Sequence, residues 1–329
     1  MQTLSQSQFE AALAAAEDAE ASAQERAEML MEIAMGLQAR PKSPQQIADA
    51  IGLYERALQV APADALMLKA RIAARMGTAW QALPSDGGDD GAASLERALA
   101  CFQGAIASLQ AGGQPEEVAE IELNQGLVQQ ALSALGRSRL TDAIAAYQRA
   151  LRTFNRERHP QEYAVLHNNL AIAYLSMTQS DETGRMREAL AVQSFEEVLK
   201  VINLIDHPSE YAMINNNLGN ALQYASSSHV LENNLRALAA YDEALRVRNP
   251  RDTPLEYANT IANKANVLRG LVADPMQPDS ENPTRDALAL VREAQALFQV
   301  HGDAHKAALM ADTAAEIEAE LAQRRPHLN

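Results

Sequence analysis

Apolar residues recur along most of the chain at intervals of three and four residues, the spacing of one face of an α-helix. Glycine and proline fall mainly between these periodic segments, and the sequence has no runs rich in Val, Ile and Thr that would indicate strands. Small apolar residues, alanine above all, are abundant, which favours closely packed helices. We therefore predict an all-helical chain.

Four segments repeat one pattern that opens with proline. Each has Glu two places after the proline, then an aromatic residue or Val, then Ala, and an Asn seven places after the Glu; they begin at Pro115, Pro160, Pro208 and Pro254. Proline is tolerated in the first turn of a helix, and a glutamate there favours the exposed N–H groups and the positive end of the dipole. Each segment is therefore predicted to begin a helix, which we call an A helix.

The segments that alternate with the A helices carry a stripe of small and large apolar residues. The aligned large residues of this stripe are Tyr54, Phe102, Tyr147, Phe195, Tyr241 and Val291. Their i, i+3, i+4, i+7 spacing predicts a second helix, which we call a B helix. Two degenerate A helices are predicted to open near Glu25 and Asp64, giving six A–B pairs. A final capping helix is predicted from Ala304 to Gln323.

The repeated segments resemble one known superfamily. The stretch NNLGNAL from Asn216 to Leu222, together with ALAAYDEAL from Ala237 to Leu245, closely resembles the tetratricopeptide-repeat consensus. Successive large B-helix residues are about 45 to 50 residues apart, longer than the roughly 34 of a standard unit. This long period resembles the repeats of kinesin light chains and of bacterial regulatory arrays.

The resemblance implies an all-α, right-handed superhelical solenoid of about six antiparallel helix pairs, with the A helices lining a concave groove. We expect one domain over residues 1–329. Within it, residues 1–62 would hold the degenerate N-terminal helices and first pair, residues 63–300 the core repeats, and residues 301–329 the capping helix and tail.

The formal net charge of −15 argues against nucleic-acid binding, because phosphate contacts need a surface of Lys and Arg. Cys101 is the only cysteine, which excludes an intrachain disulfide and a multi-cysteine metal site. A signal peptide and an apolar run of the roughly 20 residues that span a membrane are both absent from the sequence. We expect a cytoplasmic protein without membrane contact.

Motifs of enzymes are missing as well: there is no P-loop, no dinucleotide-binding glycine motif, no nucleophile elbow and no HExxH. We expect neither catalysis nor a cofactor. His301, Asp303 and His305 are close in sequence, but the segment lacks the further clear protein ligands that a metal site needs, so no metal site is predicted.

A column of asparagines is the predicted binding site. A carboxamide both donates and accepts hydrogen bonds, so it can pair with the backbone of an extended peptide that crosses successive repeats, as such residues do in the family that the chain resembles. The predicted site residues are Asn124, Asn168, Asn169, Asn216, Asn217, Asn220, Asn259, Asn263, Asn266, Tyr224 and Arg269. The alternative is that these asparagines bond between adjacent repeats and hold the stack together.

Val165, Met213 and Tyr224 are open to two interpretations, as anchors for a partner or as core residues. A clamp for a terminal carboxylate needs Lys and Arg around the asparagines, and Arg269 is the main cation in the predicted groove. An internal extended segment or a partner helix therefore fits better. The leading hypothesis is a non-catalytic adaptor or scaffold that binds such a segment of another protein.

Two alternatives to partner binding in the groove remain. The chain could be a regulator or assembly factor that recognises a folded enzyme through its acidic surface at Glu17–Glu20, or through predicted mobile loops at residues 84–91 and 273–284. It could also self-associate as a homodimer through its terminal helices.

Overall fold

The computed structural model describes residue 14 and residues 21–84, 89–177, 182–225, 229–271 and 282–323. Within these residues the chain forms thirteen α-helices and no strand. In chain order they are α1 (Ala23–Ala39), α2 (Pro44–Val60), α3 (Leu66–Ala82), α4 (Asp89–Gly112), α5 (Pro115–Ala134), α6 (Leu140–Ala150), α7 (Pro160–Leu175), α8 (Glu182–Leu199), α9 (Pro208–Tyr224), α10 (Val230–Leu245), α11 (Pro254–Gly270), α12 (Pro283–Val300) and α13 (Ala304–Gln323).

The helices alternate as the repeat pattern predicts. The odd-numbered helices α1 to α11 are the A helices, the even-numbered ones are the B helices, and α13 coincides with the predicted capping helix. Four A helices begin at the four repeated prolines, because proline occupies the first turn without removing an intrahelical hydrogen bond. The all-helical class, the six pairs and the final helix are therefore confirmed.

The large residue of each B helix is buried against its A helix. These residues are Tyr54, Phe102, Tyr147, Phe195, Tyr241 and Val291. In three A–B pairs, a glycine of the A helix packs against the aromatic ring of the B helix. A Cβ built on Gly126 would lie 2.3 Å from the Tyr147 ring, and one on Gly219 would lie 2.6 Å from the Tyr241 ring. These glycines let helix and ring approach more closely than any side chain would allow.

The turns that precede α7, α9 and α11 share one hydrogen-bonded geometry. In each, an Asn side-chain oxygen accepts from the backbone N–H three residues later, at 2.9–3.0 Å; these residues are Asn155, Asn203 and Asn249. Asn203 and Asn249 also accept from the N–H two residues later, at 3.0 Å. The backbone C=O of the same Asn accepts from the residue just before the helix proline. The asparagine five places before each proline thus fixes the entry into the A helix.

The contacts divide the chain into two compact units, unit 1 at Met1–Glu162 and unit 2 at Tyr163–Asn329. In unit 1, one core is shared by α1, α2 and α3, and a second by α3, α4 and α5. In unit 2, residues of α7 to α11 share one core, and α11, α12 and α13 share another. Each core thus forms between consecutive helices, as in a repeat protein. The predicted single domain over residues 1–329 stays a prediction.

The two predicted loops are shorter than expected. α4 already begins at Asp89 and α12 at Pro283, whereas the loops were predicted to reach residues 91 and 284. The start of α12 has a clear cause, since the Asn282 side chain accepts from the Thr284 backbone N–H at 3.0 Å and caps the helix. Residues 85–88 and 272–281 of these loops lie outside the described residues.

Among the helices that the structure describes, none combines the length and the apolar character needed to cross a lipid bilayer.

Candidate partner-binding surface

Neighbouring A helices of unit 2 contact each other through the predicted site residues. The Asn263 side-chain amide of α11 donates to Asn216 Oδ1 of α9 at 3.4 Å. On the other side of α11, Lys306 Nζ of α13 donates to Asn259 Oδ1 at 3.0 Å. These bonds lie between positions 47 residues apart in sequence. They bring α9, α11 and α13 side by side.

One side of each A helix in unit 2, and of the capping helix α13, stays at least partly accessible to solvent. Its residues follow the i, i+4, i+7 spacing of a single helix face. They are Val165, Asn169 and Ile172 of α7, Met213, Asn217 and Asn220 of α9, Asn259, Asn263 and Asn266 of α11, and Leu309, Thr313 and Glu316 of α13. We call this set the A face of unit 2.

Three asparagines of the A face have no internal partner. The side chains of Asn169, Asn217 and Asn266 make no hydrogen bond to any other residue that the structure describes. Beside them, Asn168 Oδ1 is buried and has no hydrogen-bond partner among those residues. The amides of Asn169, Asn217 and Asn266 are at least partly exposed and are therefore available for hydrogen bonds with another molecule, whereas the Asn168 oxygen is too buried to be reached.

Other asparagines of the predicted site are engaged within the protein. Asn220 Oδ1 accepts from the hydroxyl of the buried Tyr241 at 2.7 Å. The Asn259 amide donates to the Leu255 backbone oxygen at 2.7 Å, in addition to its bond with Lys306. Holding the stack together is thus one role that these carboxamides have. The binding role of the site residues stays a prediction.

Three apolar residues that the sequence left undecided lie outside the core. Val165 is 45% exposed, Met213 is 42% exposed, and Tyr224, the last residue of α9, is 67% exposed. The core interpretation is therefore wrong for all three. Val165 and Met213 each lie four residues before an asparagine with a free amide, so apolar and amide groups alternate on the A face.

Arg269, predicted as the main cation of the groove, is neutralised within the protein. Its guanidinium lies 3.0 Å from Glu316 Oε2 and 3.1 Å from Glu320 Oε1, both on α13. The hydrogen bond that Arg269 donates to Glu320 is the main reason why the pKa of Arg269 is raised. Arg269 therefore joins α11 to the capping helix and is not a free positive charge.

The A helices of unit 1 present a different surface, made of ion pairs. Arg71 of α3 donates to both carboxylate oxygens of Glu117 of α5, at 2.7 and 3.2 Å. Arg75 lies 3.2 Å from Glu120, one turn further along. The hydrogen bond from Arg71 lowers the pKa of the Glu117 carboxyl. The predicted site residue Asn124 lies on α5 beside these pairs.

A set of glutamines that was not predicted from the sequence forms hydrogen bonds with the buried tyrosines. The hydroxyls of Tyr54, Tyr147 and Tyr241 donate to Gln38, Gln130 and Gln223 at 2.8, 2.9 and 3.0 Å. Each glutamine is fifteen positions after the first residue of its A helix. Burial raises the pKa of these hydroxyls, so they remain protonated donors. A Tyr in the B helix together with a Gln at this position of the A helix was the sequence signal that could have predicted these hydrogen bonds.

The aromatic residue that follows the Glu of the repeat pattern also forms a hydrogen bond with the B helix. The hydroxyls of Tyr163, Tyr211 and Tyr257 donate to Glu197, Glu243 and Glu293 of the following B helix, at 2.8 to 3.0 Å. The bonds from Tyr211 and Arg246 lower the pKa of the Glu243 carboxyl. These tyrosines therefore tie the start of each A helix to its B helix and are structural.

Two further features of the sequence are the segment with His301, Asp303 and His305 and the acidic patch Glu17–Glu20. No group of three or more metal-ligating side chains occurs in the described part of the chain, which includes His301, Asp303 and His305. The acidic patch Glu17–Glu20, which would serve the alternative of binding a folded enzyme, lies outside the described residues.

Comparison with known proteins supports the architecture and nothing more specific. No family model matches the chain, and no curated protein matches it. Among solved structures, BtubC (BKLC) from P. vanneervenii is similar with a TM-score of 0.50 and 18% identity, over 84% of this chain and 97% of that one. The TPR2AB domain of yeast Sti1, solved as a pHSP90 complex, matches with a TM-score of 0.31 and 15% identity, over 89% and 98% of the two chains. The likeness to BtubC shows a common fold, an all-helical array of consecutive antiparallel helix pairs.

Proposed function

We propose that the chain is a non-catalytic adaptor that binds an extended or helical segment of another protein along the A face of unit 2. One observation carries the proposal: free side-chain amides and exposed apolar side chains alternate on the same side of α7 and α9. The free amides are those of Asn169 and Asn217, and the apolar side chains are Val165 and Met213.

The two kinds of group would have separate roles in binding. The amides would hydrogen-bond to the backbone N–H and C=O groups of the partner, a contact that recognises an extended chain whatever its side chains are. Val165 and Met213 would bury apolar side chains of the partner, and full burial of such a residue contributes about 1.5–3 kcal/mol. Apolar contacts would therefore supply much of the affinity, and the amides would fix the orientation of the bound segment.

Replacing Asn217 and Asn263 together by Ala is expected to reduce partner capture at least tenfold, at about 1 kcal/mol for each hydrogen bond lost. The measurement is affinity purification from a lysate of the source cells with quantitative mass spectrometry. Circular dichroism should show the same helical content as the unmodified protein, because both positions are partly exposed and Ala favours helix.

The matched control is the pair Asn233→Ala and Asn234→Ala on α10, which removes two partly exposed asparagines from a B helix. It should leave capture unchanged. Equal capture by the A-face variant and the unmodified protein would refute binding at the A face.

A further inference from the structure

In unit 1, each carboxylate on the A side of α5 has an arginine from the preceding A helix. Glu117, the third residue of α5, pairs with Arg71, the sixth residue of α3. Glu120, the sixth residue of α5, pairs with Arg75, the tenth residue of α3. The third and sixth positions also meet at the end of unit 2, where Lys306, the third residue of α13, donates to Asn259, the sixth residue of α11.

In unit 2 the same two positions hold a different combination. The third residues of α9 and α11 are Glu210 and Glu256, both exposed. The sixth residues of the preceding A helices are Val165 and Met213, where α3 of unit 1 has Arg71. Unit 2 thus combines an exposed carboxylate at the third position with an exposed apolar side chain at the sixth, without the arginine that unit 1 has there.

Neither carboxylate forms a salt bridge in the described part of the chain. Near Glu256, the Arg248 guanidinium donates to the Thr260 hydroxyl at 2.8 Å and to the Glu256 backbone oxygen at 3.5 Å. Burial lowers the pKa of Arg248, and its attraction to the Glu256 charge opposes that shift. Both exposed carboxylates therefore remain able to form a direct ion pair with a partner.

We propose that the A face of unit 2 selects an extended segment with basic side chains three residues apart and apolar side chains between them. This rests on the proposed function and names the chemistry of the partner. The Lys or Arg side chains would pair with Glu210 and Glu256, in the place that Arg71 takes in unit 1. The apolar side chains would cover Val165 and Met213.

The spacing follows from helix and strand geometry. α9 and α11 are in contact through Asn216 and Asn263, and packed helices lie about 8–10 Å apart. An extended chain rises about 3.3 Å per residue, so about three residues pass from one A helix to the next. The net charge of −15 adds a long-range attraction for a basic segment and repels an acidic one.

The test uses a fluorescein-labelled peptide of about twelve residues with Lys at every third position and Val or Ala between, and a second peptide with Gln in place of Lys. Fluorescence anisotropy with the full chain should give binding of the Lys peptide about tenfold tighter than of the Gln peptide at low salt. The Glu210→Gln, Glu256→Gln double variant should remove that difference.

The matched control is Glu55→Gln with Asp286→Asn, which removes the same charge from exposed positions on B helices. It should bind the Lys peptide as the unmodified chain does. Equal binding of both peptides, no binding of the Lys peptide, or an unchanged affinity of the double variant would each overturn the basic selectivity. Capture of a cellular partner that still depends on Asn217 and Asn263 would then leave the proposed function standing.

Discussion

Replacing Tyr241 by Ala is expected to lower the free energy of unfolding by about 3–5 kcal/mol, the range for removing a buried aromatic ring. Tyr241 is fully buried and packs against Gly219, and its one hydroxyl hydrogen is shared between Asn220 Oδ1 at 2.7 Å and Gln223 Oε1 at 3.0 Å. The variant therefore leaves a cavity and removes the donor that these two acceptors share. Urea denaturation followed by circular dichroism measures the loss.

The Tyr241→Phe variant separates the contribution of the ring to stability from that of the hydroxyl. It keeps the packing against Gly219 and removes only the donor, so the expected loss is about 1 kcal/mol. Losses of the same size in the Ala and Phe variants would contradict the packing role of the ring.

Replacing Gly126 by Ala is expected to destabilise the protein by about 1–3 kcal/mol, although Ala is the better helix former. The new methyl group would lie 2.3 Å from the buried Tyr147 ring, so α5 and α6 must move apart. Thermal unfolding of the two proteins under the same conditions measures the difference.

Gly52→Ala is the matched control on α2. Gly52 is exposed, and nothing lies within 4 Å of the position that a Cβ would occupy. Only the gain in helix propensity remains, so this variant should be stabilised by about 0.5–1 kcal/mol. A stabilised Gly126→Ala variant would show that the A and B helices do not pack as closely as described.

The sequence predicted the helices well because their signals are local. A proline at the first helical position, together with a stripe of alternating small and large apolar residues, marks each A–B pair without knowledge of its neighbours. The repeat then gave the order of the helices. The ends of the loops were less well predicted. Pro283 was assigned to a loop from its sequence, whereas in the structure it is the first residue of α12, which the Asn282 side chain caps.

The binding surface could be predicted only in part, because its chemistry depends on residues far apart in sequence. The spacing of the asparagines gives Asn169, Asn217 and Asn263 the same position, the tenth residue, in successive A helices. It could not show that Glu316 and Glu320 neutralise Arg269, since those contacts span 47 and 51 positions.

The most direct test of binding at the A face is site-specific photocrosslinking. The photoreactive residue p-benzoylphenylalanine would replace Met213 on the A face or, as control, Leu235, which is 53% exposed on the B helix α10. Binding along the A face predicts a covalent adduct with the captured partner from position 213 and none from position 235. An adduct from position 235 alone would contradict it.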